Sequence, residues 1–330
     1  MLLVENKIYE HVSSDTTIEF EEVIISKSLV TKAKLISPVF FELIYFLYRL
    51  AKKIGFSTIS KTKSSYLKNP LKDKKHLFTV MMGLDEGKYK PYAFTTNHCR
   101  SIFLFDAWPK DYQRIIDFIY KYKINFVFVT AAQSAERLNN SVSRKIFFWI
   151  PEGIKIDEYL FKEYADKQID VLALGRKYDK YHLMIKDDLE AAGIKYLYEK
   201  EKGEIIFPTR REFIRGLSDA KISICIPSSI THPHRAGDVE TMTIRYLQSM
   251  VSKCLVVGHA PKEMIELFGY NPVIEIDIEK PVEQIKTILN DYCHYKEFIE
   301  KNYKTVCENH TWLNRWTMIE NILVKDKEVL

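Results

Sequence analysis

Glycine is scarce in this chain, 11 residues in 330, and none of the glycine patterns that cradle phosphates is present. There is no Gly-x-Gly-x-x-Gly fingerprint and no Gly-Lys-[Ser/Thr] loop, which argues against dinucleotide-dependent oxidoreductases and P-loop NTPases. No Ser nucleophile elbow is found either. The five cysteines (Cys99, Cys225, Cys254, Cys293, Cys307) are odd in number and include no Cys-x-x-Cys pair. Neither a zinc site nor a disulfide framework is indicated, and a reduced cytoplasm is the expected compartment. Cys225 and Cys254 fall in apolar runs, where a thiol packs as a small hydrophobe. The chain has no apolar stretch of the roughly 20 residues a bilayer span needs. No secretory signal opens it, since Met1-Leu2-Leu3-Val4 meets Glu5 at once. Short-period repeats and low-complexity tracts are missing too.

What is there describes a globular chain: 46% hydrophobic and 28% charged residues, with a length that allows two domains, each with its own core. Aromatics reach 13%, which suits sugar and base stacking but equally a Phe/Tyr-rich core. The net charge of +5 is unevenly placed. From Arg49 to Lys75 nine basic residues face one acid, Asp73, so this segment is net +8 and the rest of the chain net −3. A uniformly basic nucleic-acid binder would not look like this, and no nucleic-acid partner is expected. Just before the segment, Ser37 and Pro38 read as a helix start and Gly55 as a stop, with Val39–Leu50 apolar apart from Glu42 and Arg49. Two readings stand: a core helix followed by a solvated loop, or a helix in a membrane interface whose basic residues meet anionic lipid through 38–75.

From His76 onward strands and helices alternate. Expected strands are Leu77–Met82, Ser101–Phe105, Phe126–Thr130 and Ile146–Ile150, then Asp170–Leu174, Lys195–Tyr198, Ile222–Ile226, Leu255–Val257 and Val273–Ile276. Expected helices are Lys110–Tyr122, Ala132–Asn139, Tyr181–Ala192, Arg210–Ser218, Val239–Met250, Lys262–Phe268 and Val282–Tyr292. Continuous apolar strands mark parallel sheets covered on both faces. The alternation in both halves predicts an α/β protein of two doubly wound domains, with ligands outside the carboxyl ends of the strands. Ile18–Ile25 is read as an additional strand.

The densest chemistry lies between His232 and Gly258. His232-Pro233-His234-Arg235-Ala236-Gly237 is a donor-rich loop ending in a glycine. It leads to Asp238 and Glu240, placed in the first turn of the expected helix, where phosphate is favoured. Gln248 stands eight positions after Glu240, on the same face of that helix. Arg245 either pairs with an acid or reaches a ligand. Gly175 and Arg176 end a strand, with Lys177 and Lys180 behind them, and read as a phosphate site. His232 and His234 tempt a metal reading, but two ligands without a partner acid or thiol do not make one. In the first half, His98 and Asp106 stand at strand ends facing the expected cleft. Glu152 faces either the cleft or solvent.

These stretches resemble retaining glycosyltransferases of the GT-B fold, which carry a Glu, seven residues and a second Glu at this place, then a small-residue turn and an apolar strand. Glu240 matches the first acid; the second position is Gln248. Ile150-Pro151-Glu152-Gly153-Ile154 resembles the hinge between domains, Leu174-Gly175-Arg176 the basic strand end, and His310–Trp316 the start of a last helix that crosses back. The similarity covers about 145–325. It implies a GT-B architecture with an acceptor-side domain over 1–152, a donor domain over 153–308 and a crossing helix over 309–330. It further implies transfer of a sugar from a nucleotide sugar to a hydroxyl of a glycan or lipid-linked acceptor, with retention. Glu240, His98 and Asp106 become the catalytic candidates. Gly175, Arg176, Lys180, His234, Arg235, Gly237, Asp238, Arg245 and Gln248 become the donor-binding ones, with no metal or other cofactor. The setting it suggests is bacterial surface polysaccharide (O-antigen, lipopolysaccharide or capsule), built in the cytoplasm at the inner face of the membrane. The alternatives are a nucleotide-sugar epimerase and a non-catalytic sugar- or nucleotide-binding module, the latter kept open by the uncharged Gln248.

Overall fold

The computed structural model describes residues 1–4, 15–28, 30–33, 76–90, 99–175, 177–201 and 204–325. The basic segment 49–75 and the helix expected before it, together with His98 and Arg176, lie outside the described residues.

The first lobe holds β1 (Leu2–Val4), α1 (Asp15–Lys27), β2 (Thr31–Ala33), β3 (His76–Met82), α2 (Glu86–Tyr89), β4 (Cys99–Phe105), α3 (Tyr112–Tyr122), β5 (Phe126–Val129), α4 (Ala132–Asn140) and β6 (Phe147–Trp149). Its six strands run parallel in the order β2-β1-β3-β4-β5-β6. The second lobe holds β7 (Ile169–Ala173), α5 (Asp179–Ala191), β8 (Tyr196–Tyr198), α6 (Arg210–Ser218), β9 (Ala220–Cys225), α7 (Ser228–Thr231), α8 (Pro233–Ala236), α9 (Ile244–Val251), β10 (Leu255–Gly258), α10 (Lys262–Phe268), β11 (Ile274–Glu275) and α11 (Pro281–Asn290). Its five parallel strands are ordered β11-β10-β9-β7-β8. α12 (Lys296–Asn309) and α13 (Trp312–Lys325) close the described chain.

The central strands are buried on both faces, as their unbroken apolar runs require. α6 begins where Thr209 and Glu212 form a capping box, the Thr209 hydroxyl accepting from the Glu212 N–H at 3.2 Å. Around Ile18–Ile25 the expected strand is instead part of helix α1. Its buried Thr17, Phe20, Glu21 and Ile24 recur at three- and four-residue steps, the period of a helix. Strand propensity in the Val-Ile-Ile run yields there to packing against the first sheet.

One face of the first sheet is completed by the end of the chain. Trp312, Trp316, Ile319 and Leu323 of α13 pack with Leu3, Phe20, Phe78, Phe103 and Phe105. The hinge is tied to the same helix. The Ile154 N–H donates to the His310 carbonyl at 3.1 Å and the Trp312 N–H to the Ile154 carbonyl at 3.1 Å. A Cβ on Gly153 would lie 2.9 Å from the Thr311 carbonyl carbon, so this close approach needs glycine.

Candidate functional site

A cavity of about 280 Å³ opens beyond the carboxyl ends of the second sheet and is lined by Thr16, Leu174, Gly175, Phe207, Arg245 and Gln248 among others. It sits where β7 is flanked by β8 on one side and β9 on the other, the reversal of strand order at which open α/β sheets hold ligands. Gly175 has φ +67°, and a Cβ there would come within 2.8 Å of the Arg245 guanidinium. The turn that ends β7 thus needs glycine for its conformation, and a side chain there would displace the guanidinium above it. Arg245 donates to the Leu174 carbonyl. Among the described residues it has no carboxylate within ion-pair distance, so its charge remains available to a ligand. Arg245 and Gln248 are three positions apart on α9 and share one face.

Glu240 does not stand in the first turn of that helix. α9 begins at Ile244 with Thr243 extended at its N-cap, so Glu240 precedes it in a loop and shares no helix face with Gln248. The physical reason is that side chains from elsewhere claim the backbone of 240–242. The Glu240 N–H donates to Gln133 Oε1 at 2.8 Å and the Met242 N–H to Glu263 Oε1 at 2.8 Å. Thr241 Oγ1 donates to the same Glu263 oxygen at 2.7 Å. The Glu240 carboxylate lies 3.5 Å from His259 Nε2, whose Nδ1 is 3.1 Å from Glu275 Oε2. His259 follows β10, a strand end legible in the sequence, and Glu275 ends β11, where nothing local marks it.

Most other candidates meet across the seam between the lobes. Asp106, in the left-handed region at φ 56°, pairs with Arg235 at 2.5 Å, and burial pushes its carboxyl up despite that partner. Arg235 also lies 5.6 Å above the Trp108 ring. Asp238 is gripped by Arg137 through two bonds of 2.7 Å, which hold its carboxyl down to about 2. Gly237 faces Pro109. Glu263 adds a bond from the Ala132 N–H at the start of α4, at 2.9 Å, where a carboxylate meets the positive end of the helix. Trp108, Ala131, Ala236 and Val239 form an apolar plug among these contacts. Lys180 and His234 are exposed, the first on α5 and the second on α8. The structure therefore gathers Gly175, Arg245 and Gln248 at the cavity, and Asp106, Arg235, Gly237 and Asp238 at the seam. Gln133, Arg137, Glu263 and Glu275 were not singled out by the sequence, whereas Gly258-His259 is legible as a strand's carboxyl end, the place where such sheets bind ligands. Among the described residues no three His, Cys, Asp or Glu are grouped to hold a metal ion.

Glu152 faces the cleft. Its carboxylate accepts from the Ile244 N–H at 2.5 Å, capping the helix end that the sequence offered to phosphate. Burial pushes its carboxyl up to about 8, and the negative charges of Asp106 and Glu263 push in the same direction. Because the folded-state value lies above that of the unfolded chain, the proton is held more tightly when folded. The resulting stabilisation is complete below the ordinary carboxyl range and is lost as pH rises through about 8. Glu152→Gln keeps an acceptor for Ile244 and removes the titration. Its melting temperature is expected to fall less than that of the wild type between pH 6 and pH 9; parallel curves would dismiss the assignment.

No protein-family model and no curated protein matches this chain. Solved structures do. Sucrose-phosphate synthase from Thermosynechococcus elongatus superimposes with TM-score 0.60 at 11% identity, over 100% of this chain and 99% of that one. Anabaena HepE, solved in complex with UDP-glucose, gives TM-score 0.60 at 11% identity over 98% and 99%. TarM gives TM-score 0.50 at 17% identity over 78% of this chain and 56% of its own, so this chain spans little more than half of TarM. Two parallel sheets with interleaved helices and these neighbours make the fold a two-domain α/β GT-B fold.

Proposed function

We propose that this chain is a glycosyltransferase that moves a sugar from a nucleotide-diphosphate donor to a hydroxyl of a glycan or lipid-linked acceptor, with retention. The observation that carries the reading is the cavity beyond β7, where a cation with no carboxylate partner among the described residues and a buried carboxamide stand on one face of α9. A leaving diphosphate gains negative charge in the transition state, and a fixed guanidinium stabilises that charge as it forms. Arg245 takes this role, and Gly175 lets the phosphates approach the backbone. The solved complex of HepE with UDP-glucose adds support from the same fold. Glu240, held beside His259, is the group assigned to the donor sugar. Asp106, drawn against Arg235, is assigned to orient the acceptor, and the proton acceptor is left to the substrates. We read the diphosphate as held by side chains and backbone without a metal. Surface-polysaccharide synthesis, with basic 38–75 on an anionic membrane face, completes the proposal.

A binding module without turnover is the second reading, favoured by the neutral Gln248 and by the engagement of Asp106 with Arg235. A thermal-shift screen of UDP, GDP, CMP and dTDP with their sugars is expected to raise the melting temperature for one nucleotide, since a ligand bound only by the folded state stabilises it. Release of that nucleotide in the presence of an acceptor, undiminished by EDTA, is the expected result for the transferase. Binding without release would favour the module, and activity lost in EDTA and restored by Mg²⁺ would overturn the metal-free diphosphate site.

A further inference from the structure

Gln248 is the one position where the motif departs from its acidic pattern, and the structure supplies a reason that lies in the other lobe. Gln248 is 6% exposed, and its Nε2 donates to the Tyr159 hydroxyl at 2.9 Å. A phenol carries a single hydrogen. Tyr159 gives that hydrogen to Glu19 Oε1 at 3.1 Å. Glu19, 2% exposed on α1, also accepts from Arg210 at 2.6 Å and from the Lys155 N–H at 3.1 Å. Burial pushes the Glu19 carboxyl up, but Arg210 lies against it at 2.6 Å and both oxygens already accept, so it has no hydrogen placed to return to Tyr159. The lone pairs of Tyr159 must therefore meet a donor, and only the amide form of residue 248 provides one. A glutamate there would set two carboxylates on one hydroxyl in a buried site, with one of them left unsatisfied.

We propose that Glu19 and Tyr159 are positioning residues for the cavity: through them helix α1 of the first lobe fixes the amide of Gln248 with its N–H toward Tyr159, which leaves the amide oxygen as the acceptor offered to the ligand. A ligand suited to that floor presents hydroxyl donors. For this part the inference rests on the donor reading, in which the hydroxyls are those of the nucleotide ribose. Thr16, one turn before Glu19 on α1, lines the same cavity, so the first lobe reaches the ligand both directly and through the relay.

The test reverses the direction of the hydrogen bonds. Gln248→Glu alone is expected to lower the melting temperature by about 5 °C or more, a large shift for a chain of this size. Glu19→Gln alone gives up the ion pair with Arg210, so the comparison is made within that background: there Gln248→Glu is expected to cost at most half of what it costs in the wild type, because Tyr159 can turn its hydrogen to residue 248. Because either acidic variant can be poorly folded, Tyr159→Phe provides a second route: in that background Gln248→Glu should cost far less than in the wild type. Equal losses from Gln248→Glu in all three backgrounds would overturn the relay. None of these measurements needs a ligand, so they decide the relay even if the donor reading fails. With UDP or GDP, whichever the screen selects, Tyr159→Phe should weaken binding about fivefold while leaving pyrophosphate binding unchanged. An unchanged nucleotide affinity would overturn the link from the relay to the ligand, and wild-type protein that binds neither nucleotide would overturn the donor reading alone.

Discussion

Arg245→Ala is expected to lower kcat/KM for sugar transfer by about 100-fold or more, the loss seen when one fixed donor to a developing charge is removed. A factor of 100 corresponds to about 2.7 kcal/mol of transition-state stabilisation. The expectation follows from where the charge sits. Arg245 has no carboxylate partner within ion-pair distance among the described residues, and its guanidinium covers the backbone of Gly175 at the mouth of the cavity. Its one internal bond goes to the Leu174 carbonyl, a group that water can satisfy once the side chain is gone. The fold should therefore survive, with a melting temperature close to that of the wild type. Arg245→Lys should recover only part of the rate, since an ammonium lacks the planar fork that spans two phosphate oxygens. Glu240→Gln should reduce transfer by at least tenfold with nucleotide binding intact, which separates the donor sugar from the diphosphate. Wild-type turnover in Arg245→Ala would remove the diphosphate from this cavity.

The largest effect on stability is expected at the crossing helix. Trp312 is fully buried, stacks on Phe20 with ring centroids 4.6 Å apart and meets Phe105 edge-on at 5.9 Å. Trp312→Ala should destabilise the protein by about 3–5 kcal/mol in urea or guanidinium unfolding, the usual cost of emptying a core aromatic site. Trp312→Phe should cost much less. Among the described residues the buried indole N–H has no hydrogen-bond partner, so the smaller ring gives up packing but no bond seen there. Similar losses for both variants would mean that the indole edge, and not the ring volume, holds the helix. A small loss for alanine would mean that the first lobe stands without it.

Helices α6 and α10 have the bounds that the residues themselves suggest, because a capping box at Thr209 and a proline at 261 announce their starts. Strands β3 to β11 are equally legible in their apolar runs, whereas β1 and β2, three residues each, were not picked out. What escaped the sequence was set by partners far away in the chain. Val23-Ile24-Ile25 has the composition of a strand, yet the first sheet needs a helix there to bury Phe20 and Ile24. The start of α9 is delayed by Glu263 and Gln133, residues that no local pattern links to 240–242. Asp106 and Arg235 were legible as charged residues at the ends of elements, but their pairing across the seam was not. The same holds for Gln248. Its place in the motif is visible locally, while its reason, a glutamate on α1, is more than two hundred residues away. Local rules describe what a segment can become, and the competing long-range contacts decide where it stops.

The docking of α13 onto the first sheet has a consequence for the order in which the molecule can be made. A ribosome delivers β1 to β6 early, but Trp312, Trp316, Ile319 and Leu323 emerge only after the whole second lobe. Until then the face formed by Phe20, Phe78, Phe103 and Phe105 lacks the cover that α13 gives it, and an aromatic surface of that kind attracts chaperones and other nascent chains. The second lobe has its own core and can close while the first waits. Birth of this protein is therefore a nested process: the segment made first is finished last, by the helix that also ties down the hinge.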